Sequence, residues 1–183
     1  MIAWEKIKRW LEAEDADQEL LEDALERVLD WIEGETGRHF REPEEFVERF
    51  DGGGERIWLR ELPLESPALK VERRKDGEWD IVSDGDYERI GHELWHDEEW
   101  PGGKNDLRVT YTAGYAVGSL PGDIEELALE MLASWWRDRG RENLRSETIG
   151  GYSYTRWGPT MAADQLPGGW RETLHRWRWI QAR

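Results

Sequence analysis

The residue types with the clearest capacity for chemistry are two histidines four positions apart, in the segment His92-Glu93-Leu94-Trp95-His96. This segment matches the HExxH pattern of zinc peptidases, in which both imidazoles bind one Zn²⁺ and the glutamate acts as general base. The pattern works on a helix, where residues four apart share a face. Here Gly91 comes directly before the segment and Pro101-Gly102-Gly103 follows it, with no apolar stripe continuing on either side. We therefore expect a hairpin, in which an extended strand separates the imidazoles by roughly 13 Å, too far for one metal ion.

A zinc-dependent hydrolase is the alternative function that this motif leaves open. A third zinc ligand would have to come from elsewhere in the chain, and Glu125 and Glu126 are the candidates. The chain has no phosphate-binding glycine loop, no dinucleotide-binding glycine pattern, no nucleophile elbow and no cysteine pair. The residues thus favour a protein that is not an enzyme and that has no catalytic residue, no metal site and no cofactor.

The composition indicates a folded protein with a strongly acidic surface. Charged residues make up 36% of the 183-residue chain and the mean hydropathy is −0.88, but 13 tryptophans are too many for a disordered chain. A net charge of −16 repels nucleic acid backbones and acidic membranes, so neither is an expected general partner. The chain has no cysteine, which fits a reducing cytoplasm, and no apolar run as long as a membrane span.

The spacing of apolar residues predicts about four helices. Stripes with spacings of three and four residues begin at Trp4, Leu20, Ile124 and Trp170. The region between the second and third stripes is different, because short runs of strand-forming residues alternate there with turn residues. The predicted fold class is therefore α+β, a small helical bundle with an antiparallel β meander inserted between the second and third helices.

Turn residues divide the β-rich region into hairpins. We expect one hairpin around Asp51-Gly52-Gly53-Gly54, one around Asp76-Gly77, and one between the runs at 87–90 and 94–96. The length fits a single domain at 1–183. Within it we expect a helical part at 1–40, the β-rich insertion at 44–112, and helices at 119–183 that carry an exposed loop at 146–157.

Three segments have the composition of interaction surfaces, and each also has a simpler interpretation. The second helix has a strongly acidic face, which a solvated surface also explains. Paired glycines and alternating tyrosines at 149–154 favour an exposed contact loop or, equally, a packing loop. The final helix combines tryptophan and arginine, which are enriched at protein interfaces, although a last core helix also accounts for its tryptophans.

Four segments, taken in order, resemble the head-tail connector proteins of long-tailed bacteriophages, also called adaptor or head-completion proteins. The first two segments are residues 31–38 (WIEGETGR) and the strand 109–115 (VTYTAGY). The other two are the Leu120-Pro121 entry to a helix that ends in WWRDR at 135–139, and residues 146–154 (SETIGGYSY). The likeness spans most of the chain. Its tryptophan-rich third and final helices depart from the usual pattern of the family.

This resemblance implies a structural virion protein at the head-tail interface, assembled in the host cytoplasm. About a dozen copies would form a ring beneath the portal protein. The ring would extend the DNA channel and offer an attachment surface to a tail-side completion protein, and DNA would pass through it without sequence-specific binding. A further alternative is another oligomeric tail-completion protein.

The resemblance also suggests roles for the three surfaces. Subunit or partner contacts are expected at Ile149, Gly150, Gly151, Tyr152, Tyr154 and Trp157. Docking to portal is expected at Trp170, Arg171, Trp177, Arg178 and Trp179. An acidic channel wall, which would keep DNA from adhering, is expected at Glu19, Glu22, Asp23, Glu26 and Asp30.

Overall fold

The computed structural model describes residues 2–65, 67–138, 146–149, 152–155 and 166–179, which fall into two compact units. The helical unit is drawn from Met1–Phe40 and Val117–Arg178. The β unit is drawn from Arg41–Ala116 with Trp179–Arg183. The α+β class is confirmed, because the described residues contain four α-helices and antiparallel sheets, with strands lying between the second and third helices.

The helices are short to medium in length and the strands are short. The helices are α1 (Trp4–Leu11), α2 (Gln18–Thr36), α3 (Gly122–Asp138) and α4 (Gly168–Trp177), with a single 3-10 turn at Asp15–Asp17. The strands are β1 (Glu44–Phe50), β2 (Arg56–Trp58), β3 (Lys70–Lys75), β4 (Glu78–Ile81), β5 (Tyr87–Ile90), β6 (Glu93–His96), β7 (Leu107–Ala113), β8 (Ser146–Ile149) and β9 (Tyr152–Thr155). No helix in the described part of the chain is long and apolar enough to cross a membrane.

The core of the helical unit is made by the predicted stripes of α2 and α3. Leu20 is the member of the α2 stripe that stays outside, with 47% of its surface exposed. Helix α2 is capped by Gly37, whose left-handed backbone (φ 68°) lets its N–H reach the carbonyl of Glu33 at 2.8 Å. The buried residues of the two helices are Leu21, Ala24, Leu25, Val28, Leu29, Ile32, Ile124, Leu127, Ala128, Leu129, Met131 and Leu132.

The segment that leaves α2 is held by side chains of the helix itself. The Glu33 carboxylate accepts a hydrogen bond from the Phe40 backbone N–H at 2.8 Å, and the Thr36 hydroxyl oxygen accepts one from the Arg38 backbone N–H at 3.3 Å. Phe40 is fully buried and packs edge-on against Trp177, with 5.7 Å between ring centroids. Residues 31–38, which carry part of the family resemblance, therefore form the end of α2 and its cap, and hydrogen bonds to the helix hold the residues that follow.

The β unit contains two sheets instead of one meander of sequential neighbours. The four-stranded sheet has the order β1-β7-β3-β4, and the three-stranded sheet has the order β2-β6-β5. Two predicted hairpins are confirmed. Strands β3 and β4 join through Asp76 and Gly77, both with positive φ (53° and 92°), and β5 pairs with β6.

The predicted hairpin around Asp51-Gly52-Gly53-Gly54 is wrong. Strand β1 pairs with β7, while β2 pairs with β6 in the other sheet. Pairing with β7 matches all seven residues of β1 and stacks Phe46 on Tyr111 at 5.7 Å, whereas β2 has only three residues to offer. The glycines instead anchor the loop between the sheets, since the Gly53 N–H donates to the Trp100 carbonyl at 2.8 Å.

Strand β7 supplies the centre of the β-unit core. Its alternating residues Leu107, Val109, Tyr111 and Ala113 are buried. The Tyr111 hydroxyl donates to the Glu48 carboxylate and accepts from the Glu61 backbone N–H at 3.2 Å. Burial raises the pKa of Tyr111, and the hydrogen bond to Glu48 raises it further, so the phenol stays protonated. The rest of this core is Ile57, Leu59, Val71, Val82, Leu94 and Trp100.

Candidate interaction surfaces

The HExxH segment lies in a hairpin, as its flanking residues predicted. His92 occupies the turn after β5, and Glu93–His96 form β6. His92 contacts the Trp58 ring (5.4 Å between centroids), whereas His96 contacts the Trp100 ring (5.2 Å). Each imidazole thus packs on a different aromatic ring. Among the described residues, no group of three or more histidines and carboxylates has the geometry to hold a metal ion.

Zinc is expected to leave the melting temperature of the protein unchanged. A site filled at one hundred times its Kd would add about 2.7 kcal/mol and raise the melting temperature by several degrees. Calorimetry with and without Zn²⁺, compared with Mg²⁺ and with a chelator, makes the test. A zinc-specific rise that disappears in the His92→Ala/His96→Ala variant would establish a metal site and revive the hydrolase alternative.

Helix α4 uses its tryptophans to attach itself within the helical unit. The Trp170 indole N–H donates to the Glu130 carboxylate at 2.6 Å, and the Trp177 indole N–H donates to Asp123 at 2.8 Å. Leu174, between them, is buried with 5% of its surface exposed. The tryptophans on which we based a docking surface thus have contacts inside their own unit.

The remaining residues expected to dock to portal are Arg171, Arg178 and Trp179, and they differ from the α4 tryptophans in exposure or position. Arg171 is exposed on α4. The helix ends at Trp177. It is followed by Arg178, which is exposed and has an extended backbone, and by the half-buried Trp179. Trp179 belongs to the β unit, where its ring lies 6.3 Å from that of His92. The outward-facing chemistry of this segment is therefore cationic.

Replacing Trp177 by phenylalanine should lower the free energy of unfolding by about 1 kcal/mol, because the indole hydrogen bond to Asp123 is lost. Urea denaturation followed by circular dichroism measures this change. The matched control is Trp10→Phe, since Trp10 has 49% of its surface exposed and should tolerate the change within about 0.5 kcal/mol. Equal effects for the two variants would contradict an anchoring role for Trp177.

The acidic face of α2 is present as expected. Glu19, Glu22, Asp23 and Asp30 are exposed and Glu26 is half-exposed. At 100° per residue these five carboxylates fall within roughly 100° of arc, opposite the buried stripe. Gln18 donates a hydrogen bond to Glu22 at 2.8 Å. We call this surface the acidic helix face, and its role as a channel wall stays a prediction.

The tyrosine-containing segment forms a hairpin. Strand β8 pairs with β9 in antiparallel register, so that the backbone of Ile149 lies opposite Tyr152 and that of Glu147 opposite Tyr154. Gly150, Gly151 and Trp157 lie outside the described residues. The backbone of this segment thus forms two paired strands, and the contact role of these residues stays a prediction.

One surface has no counterpart among the sequence predictions. It is the side of the four-stranded sheet that faces away from the β-unit core. The register aligns Arg49, Arg108, Glu72 and Ile81 in one row and Val47, Thr110 and Lys70 in the next, with Arg74 opposite Trp79. We call this surface the outer sheet face. Glu45 lies on the same side of β1, two positions before Val47. Because the residues of this face come from four strands between positions 45 and 110, no local pattern could have revealed it.

A buried carboxylate organises the outer sheet face. Glu72 is only 5% exposed, and its two oxygens lie 2.7 Å from Lys70 Nζ and 2.7 Å from the Arg108 guanidinium. Burial opposes ionisation of Glu72, but the hydrogen bonds from Lys70 and Arg108 outweigh it and lower its pKa. Arg108 also lies over the Trp79 ring, 4.4 Å from its centroid. Contacts within the sheet therefore fix the side chains of Glu72, Lys70, Arg108 and Trp79.

Comparisons with known proteins give a structural likeness without a sequence match. No protein-family model matches the chain, and no curated protein matches it significantly. A chain from the neck of an empty gene transfer agent (GTA) particle, computed with C6 symmetry, is similar in structure, with a TM-score of 0.60 and 16% identity over 97% of this chain and 89% of that one. A chain from the virion of a native GTA particle has a TM-score of 0.59 and 15% identity over the same shares. At such identities the likeness establishes a shared fold along nearly the whole chain.

Proposed function

We propose that this protein is a structural component of a phage or phage-like particle, the head-tail adaptor that forms a ring under the portal. The observation that carries the proposal is the fold shared over 97% of the chain with a protein of a GTA particle neck. The four sequence segments that resemble head-tail connectors support it separately, because they do not depend on the fold comparison. Both are consistent with a structural protein of a particle neck.

A ring requires two different surfaces on each subunit. Neighbours in a cyclic assembly meet head to tail, so one surface of each copy must complement another surface of the next. The protein of the GTA neck comes from an assembly with C6 symmetry. The β8–β9 hairpin is one candidate for such a contact, because a hairpin edge can extend a neighbour's sheet by main-chain hydrogen bonds.

We assign the portal contact to the cationic end of the chain. Arg171 and Arg178 are exposed there, while Trp170 and Trp177 hold α4 to its own unit. Portal, a tail-side completion protein and further copies of the chain are the proposed partners, and DNA passes through the ring. In this role the protein works by binding and has no catalytic step.

The decisive experiment mixes the protein with the portal ring encoded in the same genome and examines the product by electron microscopy and native mass. We expect an added stoichiometric ring. The variant Arg171→Glu/Arg178→Glu should lose it, whereas the matched variant Arg9→Glu, at an exposed position of α1, should retain it.

Failure of the folded wild-type protein to bind portal across a range of salt would overturn the adaptor assignment. Binding to a tail-side component alone would favour another oligomeric tail-completion protein instead.

A further inference from the structure

The outer sheet face is a basic surface on an acidic protein. It carries the cations Arg49, Lys70, Arg74 and Arg108 against the carboxylates Glu45 and Glu72, while the whole chain has a net charge of −16. The Glu72 charge is already neutralised by its two cationic neighbours. This face therefore attracts acidic surfaces, in contrast to the chain as a whole.

The same face exposes large apolar side chains. Ile81 is 69% exposed and Val47 is 56% exposed, on opposite edge strands of the sheet. Trp79, half-buried on the same edge strand as Ile81, has Arg108 over its ring and Arg49 5.7 Å from its centroid. Aromatic residues and arginine are the types that contribute most to protein interfaces. An apolar and arginine-rich surface with fixed side chains has the properties of a docking site.

The chain itself carries a surface with complementary charge. The acidic helix face of α2 holds its five carboxylates along one side of a rigid helix, and Leu20 lies beside them with 47% of its surface exposed. The acidic helix face thus offers to the outer sheet face both opposite charge and an apolar group. A head-to-tail contact requires two different and complementary surfaces on each subunit, and this protein has such a pair.

We propose that the outer sheet face of one copy docks against the acidic helix face of α2 from a second copy. This contact rests on the proposed ring, and it specifies which surfaces the ring uses. The exposed cations pair with helix carboxylates, and the exposed apolar side chains cover one another. This assignment replaces a channel-lining role for the acidic helix face, because the same carboxylates cannot serve both.

The contact predicts charge-swap complementation on portal. The sheet variant Arg49→Glu/Arg74→Glu and the helix variant Glu19→Lys/Glu22→Lys/Asp23→Lys change only exposed residues, and each reverses the net charge of its surface. In a ring of either variant alone, surfaces of like charge would face each other at every subunit contact. We therefore expect at least about a tenfold loss of ring occupancy. An equal mixture should restore the ring, since in an alternating ring every reversed sheet face meets a reversed helix. The control is a mixture of two different variants that are both reversed at the outer sheet face. Ring occupancy should not recover in this mixture.

A second measurement does not depend on variants. A zero-length crosslinker that joins amines to carboxylates should couple Lys70 to Glu19, Glu22 or Asp23 in wild-type rings. A mixture of isotopically light and heavy subunits identifies the links that join two copies. Absence of such links in well-formed rings would overturn the contact.

The remaining outcomes separate the contact from the adaptor function. If wild-type protein builds no ring on portal, the adaptor proposal and this contact are both overturned. If both variants build rings as well as wild type does, only the contact is overturned. If the sheet variant loses binding to duplex DNA but still forms rings, the outer sheet face is a nucleic-acid surface and the contact is again overturned.

Discussion

Replacing Gly114 by alanine is expected to destabilise the β unit by about 3 kcal/mol or more, through backbone strain added to overpacking. Gly114 follows β7 with φ at 133°, a conformation that side-chain-bearing residues rarely adopt. A Cβ there would lie 2.8 Å from the Glu42 carbonyl oxygen and 2.8 Å from Pro43 Cα. Both are backbone atoms, which cannot rotate away. Urea denaturation followed by circular dichroism should show a large fall in the midpoint.

Two other glycines separate the causes of this effect. Gly118 also has positive φ (80°), but an added Cβ meets nothing within 4 Å, so Gly118→Ala should cost only about 1 kcal/mol. Gly34 lies inside α2 with equally open surroundings, and Gly34→Ala should stabilise the protein by about 0.5 to 1 kcal/mol. If Gly114→Ala costs no more than Gly118→Ala, the close approach of the two backbone segments is contradicted.

Replacing Arg108 by alanine is expected to cost about 3 kcal/mol at pH 7, because it removes one of the two cations that compensate the buried Glu72 carboxylate. The ordinary pKa of this carboxyl is 4.5, and in the folded protein it lies lower. The stabilisation by its ionised form is therefore complete above about pH 4.5 and is lost as the pH falls through the folded pKa. The gap in stability between wild type and variant should shrink in acid.

Denaturation at pH 7 and at acidic pH tests this expectation, with Arg49→Ala as the matched control. Arg49 lies on the same face and near the same Trp79 ring but is exposed, so its loss should cost less than about 1 kcal/mol. Combining Arg108→Ala with Glu72→Gln should recover part of the stability at pH 7. A cost of Arg108→Ala that is independent of both pH and the Glu72 substitution would show that the ion pair is not its cause.

Most of the fold could be predicted from local patterns. The stripes that begin at Trp4, Leu20 and Ile124 correspond to α1, α2 and α3. The Asp76-Gly77 pair forms the turn between β3 and β4, because such residues adopt positive φ at low cost. In each case the residues that determine the structure are within a few positions of one another.

The interaction surfaces were less predictable. The acidic helix face was visible because a helix places residues three and four apart on one side. The outer sheet face was not, since Arg49 and Arg108 are brought together only by the pairing of β1 with β7. The tryptophans of α4 were expected to dock to portal, with a last core helix as the alternative. Composition alone does not distinguish a Trp177 that hydrogen bonds to Asp123 from one that docks to a partner.

Local patterns were sufficient to predict the helices, the hairpins β3–β4 and β5–β6, the acidic face of α2 and the hairpin setting of His92 and His96, because each depends on residues close together in the chain. The pairing of β1 with β7 instead of β2, and the assembly of a basic face around Glu72 from four strands, become visible only in the folded structure. An alternating strand is compatible with many antiparallel partners of matching pattern. The choice among them is made by the length that can pair and by the apolar surface that is buried when two sheets meet, and both quantities belong to residues far apart in the chain.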